Sequence, residues 1–241
     1  MFYNILHGFV EIDAGYLFDT INCNVIRSRG HSLRIIKQHC NGAAAKDKPT
    51  SFDLRTEFRI GTWNVLTLAK TGYKEAICQE YRKYRISLAG LTETHLLGSG
   101  RLDIDDHIVI HSGEEQEYRR GVALVLDKKL SRSLVSWQAI SSRILTARML
   151  HKHGHLTVVV AYAPTEDSTM NSKDELYITL ESVVTSRPPR DQIVVLGNFN
   201  AITGPDRAGF EGVIENFGSG CRNDNPLHLL TMCSVANLTI P

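Results

Sequence analysis

Five polar side chains stand where apolar runs stop: Asn64 in TWNV, Glu93 in LTETH, Tyr162 in VAYAP, and Asn198 and Asn200 in GNFN. One carboxylate among amides and a phenol makes an oxygen-rich set. A hard divalent cation suits it, because Mg²⁺ takes oxygen ligands, keeps several waters and needs only one or two carboxylates besides a substrate phosphate. Glu93 is the expected ligand. The amides of Asn198 and Asn200 cannot act as bases, so that loop could hold a phosphate or a water but not take its proton. Each residue alone has an ordinary explanation: a turn cap for Asn64, an ion pair for Glu93, packing beside Pro164 for Tyr162. The set has chemical meaning only if the strands carrying it end on one sheet edge.

The elements around these residues allow that. FRIGTWNV reads as a strand, TGYKEAICQEYRKYR puts Ile77, Tyr81 and Tyr84 on one helical face, and SLAGLTE returns as a strand. Short runs rich in β-formers follow (HIVIHS, GVALVL, LVSWQAI, ILTARML, HLTVVVAY), with turn residues between them, which predicts hairpins and a meander. Next comes a helix with Ser172 and Glu175 at capping-box spacing and a Leu176, Leu180, Val183 stripe. The strand QIVVLG leads to GNFN. A last helix has Asn225 as N-cap and Pro226 at its first position, and LTI begins another strand before Pro241. Strand, helix, strand, meander, helix, strand, helix predicts an α/β sandwich of face-to-face sheets with helices outside.

Residues 1–55 show no sustained period and run into NGAAAKDKPTS, so they read as an appendage and linker, and residues 56–241 as the domain. Phe2, Ile5, Leu6, Phe9 and Val10 could form a short amphipathic helix there, or belong to a weakly ordered tail. At 241 residues with 42% apolar content the chain can bury a real core, and its formal charge of +1 excludes a uniformly basic nucleic-acid coat. Local charge is uneven. The run from Arg119 to Lys152 is basic with Asp127 its single acid, while Glu93 to Glu117 is acidic with Arg101 its single base. Two solvated faces would explain this, as would a phosphate-binding rim beside a metal-binding floor. Five scattered cysteines without C-x-x-C spacing suggest neither disulfides nor zinc and fit an intracellular chain, nuclear or cytoplasmic. The N-terminus, interrupted by Glu11 and Asp13, reads neither as a signal peptide nor as a membrane span.

The series IGTWNV, LTETHL, RRGVALVL, VVVAYAP, VVLGNFNA and NDNPLHLLTMC resembles the endonuclease/exonuclease/phosphatase superfamily over roughly residues 57–241. It is most similar in wording to the apurinic-type endonuclease domains of non-LTR retrotransposons and to craniofacial-development-protein-like sequences. The resemblance implies a four-layer α/β sandwich, with two packed, mostly antiparallel sheets and outer helices, that hydrolyses phosphodiesters with Mg²⁺ or Mn²⁺ and takes DNA as partner. It would place the metal on Glu93 and Asn64, and catalytic roles on Tyr162, which donates to the scissile phosphate, Asn200 and Asn198; Arg119 and Arg120 would bind nucleic acid. Two departures follow from the same resemblance. Asn198 stands where the family has the Asp of G-D-F-N, and no residue here corresponds to the family's closing acidic residue and Asp-His pair, so the domain reads as truncated at its C-terminus. Hydrolysis is therefore expected to be weak or lost, the alternatives being a non-catalytic nucleic-acid-binding module or a fragment without settled function.

Other signals read as structure. HKHGH (His151, His153, His155) fits a hairpin tip better than a zinc site, DIDD (Asp103 to Asp106) a solvated turn better than a calcium loop, and the GSG runs no P-loop. Trp63 and Trp137 read as core, and Arg143 and Arg148 join Arg119 and Arg120 as candidate phosphate contacts.

Overall fold

In the computed structural model of the chain, which describes residues 8–11, 24–28, 49–54, 58–204, 206–214 and 226–240, the layers follow from alternation along each strand. Strand β1 is Gly8–Glu11, β2 Asn24–Ser28, β3 Arg59–Asn64, β4 Leu88–Thr92, β5 Ser99–Ile104, β6 His107–Ser112, β7 Val122–Asp127, β8 Leu134–Ser141, β9 Ile144–His151, β10 Gly154–Tyr162, β11 Gln192–Asn198 and β12 Leu238–Thr239. Helix α1 is Tyr73–Tyr84, α2 Met170–Thr185 and α3 Pro226–Val235. One sheet has the order β1-β3-β4-β7-β6-β5 and the other β12-β2-β11-β10-β9-β8. Each contains one parallel pair, β3 with β4 and β10 with β11, joined through α1 and α2 respectively; the remaining pairs are antiparallel.

Successive strand residues face opposite sides, so each sheet has an inner and an outer apolar set. Ile60, Leu88, Leu124 and Leu126 meet Leu145, Val158, Val160 and Leu196 between the sheets. Trp63, Ala89, Leu91 and Val125 face outward onto Ile77, Cys78 and Tyr81 of α1. Val159, Val195 and Phe199 face outward on the other side, onto α2 and α3. The four layers are thus α1, sheet, sheet, and α2 with α3, the α/β sandwich expected. The sheets approach closely at Gly90, where an added Cβ would lie 2.8 Å from Leu196.

Several elements differ from the sequence reading. The run of short strands is not one meander, since β7 closes the first sheet and β8 opens the second after a 3₁₀ turn over Leu130–Ser133. Strand β5, whose inner and outer positions are nearly all solvent-touched, lacks the apolar alternation that would reveal it. Helix α2 starts at Met170 because Thr169, in extended conformation, accepts from the Ser172 amide, so the cap lies three residues before Ser172. Residues before 56 are not wholly an appendage: Gly8–Glu11 pairs with β3 and Asn24–Ser28 with β11 and β12, so Phe9 and Val10 lie in a strand, neither the short helix nor the loose tail that the sequence left open. Phe2, Ile5, Leu6 and the Asn225 cap lie outside the described residues. Leu238–Thr239 is a strand, as LTI suggests.

Candidate functional site

Register decides where the site lies. Asn64 is opposite Thr92 at the carboxyl ends of β3 and β4, and Tyr162 is opposite Asn198 at the carboxyl ends of β10 and β11. Asn64 shares the inward parity of Ile60, Tyr162 that of Val160, and Asn198 that of Leu196, so all three belong to the space between the sheets. The two parallel pairs therefore deliver their last inward residues to the same end of the sandwich.

Glu93 joins them. It follows β4 directly and adopts φ +56°, a left-handed turn that takes it off the strand's alternation. Its Oε1 accepts from Asn64 Nδ2 at 2.7 Å and from the Tyr162 hydroxyl at 2.9 Å, a contact between residues 69 apart that ties the two sheets together. Burial, and then Glu93 itself, push the Tyr162 phenol up to about 12, so it stays a donor. Asn64 turns its amide nitrogen to the carboxylate while its oxygen receives the Leu66 amide at 3.3 Å, so in this arrangement it braces Glu93 and does not present a free oxygen.

The GNFN loop is held beside Tyr162. Gly197 has φ +147°, and an added Cβ there would sit 1.8 Å from the Ala161 carbonyl oxygen, so only glycine lets β11 run this close to β10. Buried Asn198 accepts the Ala163 amide on its carbonyl at 2.9 Å and the Asn200 amide on its side-chain oxygen at 2.9 Å. Asn200, in the left-handed region at φ +48°, donates its side-chain amide to the Ala163 carbonyl at 2.8 Å. The five residues singled out from the sequence thus form two hydrogen-bonded groups, Asn64 with Glu93 and Tyr162, and Asn198 with Asn200, on neighbouring strand ends where Tyr162 is the register partner of Asn198. The donor set fits a cation held through a single carboxylate; among the described residues no three His, Cys, Asp or Glu side chains cluster as a metal cage.

The oppositely charged stretches meet where they join. Arg119 pairs with Glu117 at 2.5 Å, and Arg120 with Glu114 at 3.1 Å, so the end of the acidic stretch and the start of the basic one meet in ion pairs, as two solvated faces would. Arg143, which the sequence offers only as one arginine among several, stacks its guanidinium 5.0 Å from the Tyr162 ring centre and donates to the Tyr162 carbonyl at 3.0 Å. Arg148 is not part of the site: it lies toward the opposite end of β9, in a two-pronged pair with buried Asp191 at 2.6 and 3.0 Å. The β9–β10 hairpin tip falls at HKHGH as read, but His151 is buried against Phe52 and does not face solvent. Of DIDD only Asp105 and Asp106 form the turn, held by Arg82, Asp103 being in β5. Trp63 is buried against Tyr81 as read.

Two mixed sheets face to face, helices on both outer faces and a polar edge built from the ends of both parallel pairs make up a four-layer α/β sandwich, the fold that the motif resemblance implies. The fold is similar to that of the AP endonuclease LMAP from Leishmania major, with a TM-score of 0.50 at 14% identity over 81% of this chain and 75% of that one. It is equally similar to the endonuclease domain of TRAS1, a telomere-specific non-LTR retrotransposon, with a TM-score of 0.50 at 14% identity over 74% and 70% of the two chains. In sequence the chain is similar to craniofacial development protein 2 of Bos taurus, 28% identical over 186 residues that cover 77% of this chain and 31% of that protein. The protein of the same name from Tragulus javanicus is 27% identical over 197 residues, 82% of this chain and 34% of its own. The chain therefore spans about a third of the length of the curated relatives it matches. No family model matches it. Among the described residues no helix is long and apolar enough to cross a membrane.

Proposed function

We propose that the chain is a retroelement-derived, DNA endonuclease-like module whose site binds a divalent cation and a phosphodiester, with hydrolysis weak or lost. The observation that carries this reading is the Glu93 carboxylate, gripped on one oxygen by Asn64 and Tyr162 from the two sheets. Such bracing leaves the other oxygen for a hydrated Mg²⁺ or Mn²⁺, which when bound would neutralise charge on a phosphate. Asn200 would orient that phosphate, and Tyr162, whose one hydroxyl proton goes to Glu93, would do so only by exchanging that partner for the phosphate. Asn198 supplies the reason for weak chemistry: its side-chain oxygen is engaged by the Asn200 amide, so what remains is an NH₂ group that donates and cannot accept a proton from water. General-base contributions are on the order of a hundred- to ten-thousandfold.

The test is nicking of supercoiled plasmid, with and without abasic sites, by the folded chain in Mg²⁺. The wild-type chain should nick at or near background, Asn198→Asp should raise the rate by about a hundredfold or more, and Glu93→Gln in that background should abolish the gain. An Asn198→Asp chain that folds but nicks no faster would remove the enzyme reading. A second reading, nucleic-acid binding without chemistry, is favoured by the packing of Arg143 against Tyr162 and predicts salt-sensitive DNA binding with no turnover.

A further inference from the structure

The bond from Tyr162 to Glu93 is one of two side-chain bridges between the sheets at this end. Thr92, Val122 and Ser112 are successive register partners across β4, β7 and β6, so the loop over residues 113–121 leaves the first sheet beside Glu93. The turn over 141–143 joins β8 to β9 and leaves the second sheet where Ile144 is opposite Ala161. Loop and turn touch: the Ser112 hydroxyl donates to the Ser141 carbonyl at 2.7 Å, and the Gly121 amide to the Ser142 carbonyl at 3.1 Å.

Both segments lead back to the site. The loop is tied to the residues after Glu93, since Thr94 donates its amide to the Gly121 carbonyl at 3.1 Å and His95 to the Arg120 carbonyl at 2.7 Å. The turn is tied to Tyr162, whose amide donates to the Arg143 carbonyl at 2.9 Å and whose own carbonyl accepts from Arg143 Nη1 at 3.0 Å. With the Tyr162 hydroxyl on Glu93, these contacts close into a ring. One carboxylate spans it. Glu114 Oε1 accepts from the Ser142 hydroxyl, in the turn, at 2.9 Å and from Arg120 Nη1, in its own loop, at 3.1 Å. The Glu114 main chain is itself anchored, its carbonyl receiving the Gly98 amide at 2.8 Å. An apolar residue at 114 would release both donors and leave the turn without a side-chain link to Arg120.

We infer that Glu114 is a positioning residue: by holding Ser142 and Arg120 on one oxygen it fixes the turn that stacks Arg143 on Tyr162, and so keeps the Tyr162 hydroxyl directed at Glu93. Its effect reaches the site through these neighbours, as outer partners of a metal ligand act through the ligand they orient. The consequence for a cation on Glu93 rests on the cation-binding reading above; the placement of the Tyr162 ring does not.

The experiment uses the whole 241-residue chain with ring-labelled tyrosine and reads the Tyr162 ring signal by NMR, assigned through its loss in Tyr162→Phe, beside Mn²⁺ binding and a thermal melt. Glu114→Ala should move the Tyr162 signal in the direction that Arg143→Gln moves it, and should weaken Mn²⁺ binding by about tenfold, the low end of what outer partners of a metal ligand cost. Ser142→Ala removes one of the two bonds and should shift both readouts the same way by less. Glu114→Gln, whose amide oxygen can still accept from Ser142 and Arg120, should return both toward wild type. A Glu114→Ala chain that melts lower yet keeps the wild-type Tyr162 signal has lost a structural contact only and overturns the inference, as does a Glu114→Gln chain no better than the Ala one. A folded wild-type chain that binds no Mn²⁺ overturns the cation-binding reading alone, because the Tyr162 signal still decides the role of Glu114.

Discussion

Removing one oxygen atom tests the contact that joins the two sheets. In Tyr162→Phe the ring keeps its packing beneath Arg143, and Glu93 loses one of the two donors on Oε1. A hydrogen bond to a charged group is worth about 1.5–3 kcal/mol. The rise of the phenol from 10 to about 12 comes first from burial and only then from Glu93, so part of it belongs to this bond, and the lower end of that range, about 1–2 kcal/mol, is the expected loss. The sign follows from the folded value being the higher one: this stabilisation is fully present below pH 10, declines as the pH rises and is gone once the phenol ionises in the folded chain near pH 12. At pH 8 the Phe variant should therefore unfold at a melting temperature lower by about 2–8 °C. The gap between the two chains should close between pH 10 and pH 12, since the variant has no phenol to lose. Urea unfolding at pH 8 and pH 11 measures both effects. Equal stabilities at pH 8, or a gap that stays constant to pH 12, would refute the Tyr162–Glu93 bond as a stabilising contact.

Away from the site, Asp191→Ala strands the Arg148 guanidinium and the Thr157 hydroxyl that share its carboxylate, and should lower stability by about 3–5 kcal/mol, or about 6–20 °C in a melt. Its cation and oligonucleotide binding should survive at low temperature, because this network lies at the far end of β10 and β11 from Tyr162 and Asn198. Gly197→Ala forces a methyl into the Ala161 carbonyl and should cost about 4 kcal/mol or more, with proton exchange accelerated first along the β10–β11 ladder; a near-normal melt would show that the strands can part there cheaply.

What could be read from the sequence was whatever depends on period and termination. Asn64, Tyr162 and Asn198 each close an apolar run, which marks the strand ends; that they face inward, with the parity of Ile60, Val160 and Leu196, appears only in the structure. Their meeting did not follow from local pattern. It depends on which strands pair in parallel, a long-range choice that the motif resemblance supplied and that Gly90 and Gly197 enforce through close approach. Arg143 illustrates the opposite case. It sits in a hairpin turn among several arginines of equal promise, and only the fold separates it, by stacking on Tyr162, from Arg148 one strand-length away on a buried aspartate. The pairing of Arg119 and Arg120 with Glu117 and Glu114 was hidden for a similar reason: opposite charges in neighbouring stretches look like two faces until a tight loop folds one onto the other.

The same contrast bears on Asn198. An Asp at that position would receive the Asn200 amide on one oxygen and still hold a second, charged oxygen; the Asn keeps the first bond at 2.9 Å and replaces the second oxygen with a donor. The loop's shape is therefore indifferent to the exchange while its chemistry is not. Asn200 in the left-handed region, the Ala163 carbonyl bond and the Gly197 approach all persist around the amide. Under the proposed function the loop would keep its shape for a phosphate whichever of the two residues stands at 198, while only the Asp could take a proton, so binding and turnover are separate measurements for this chain.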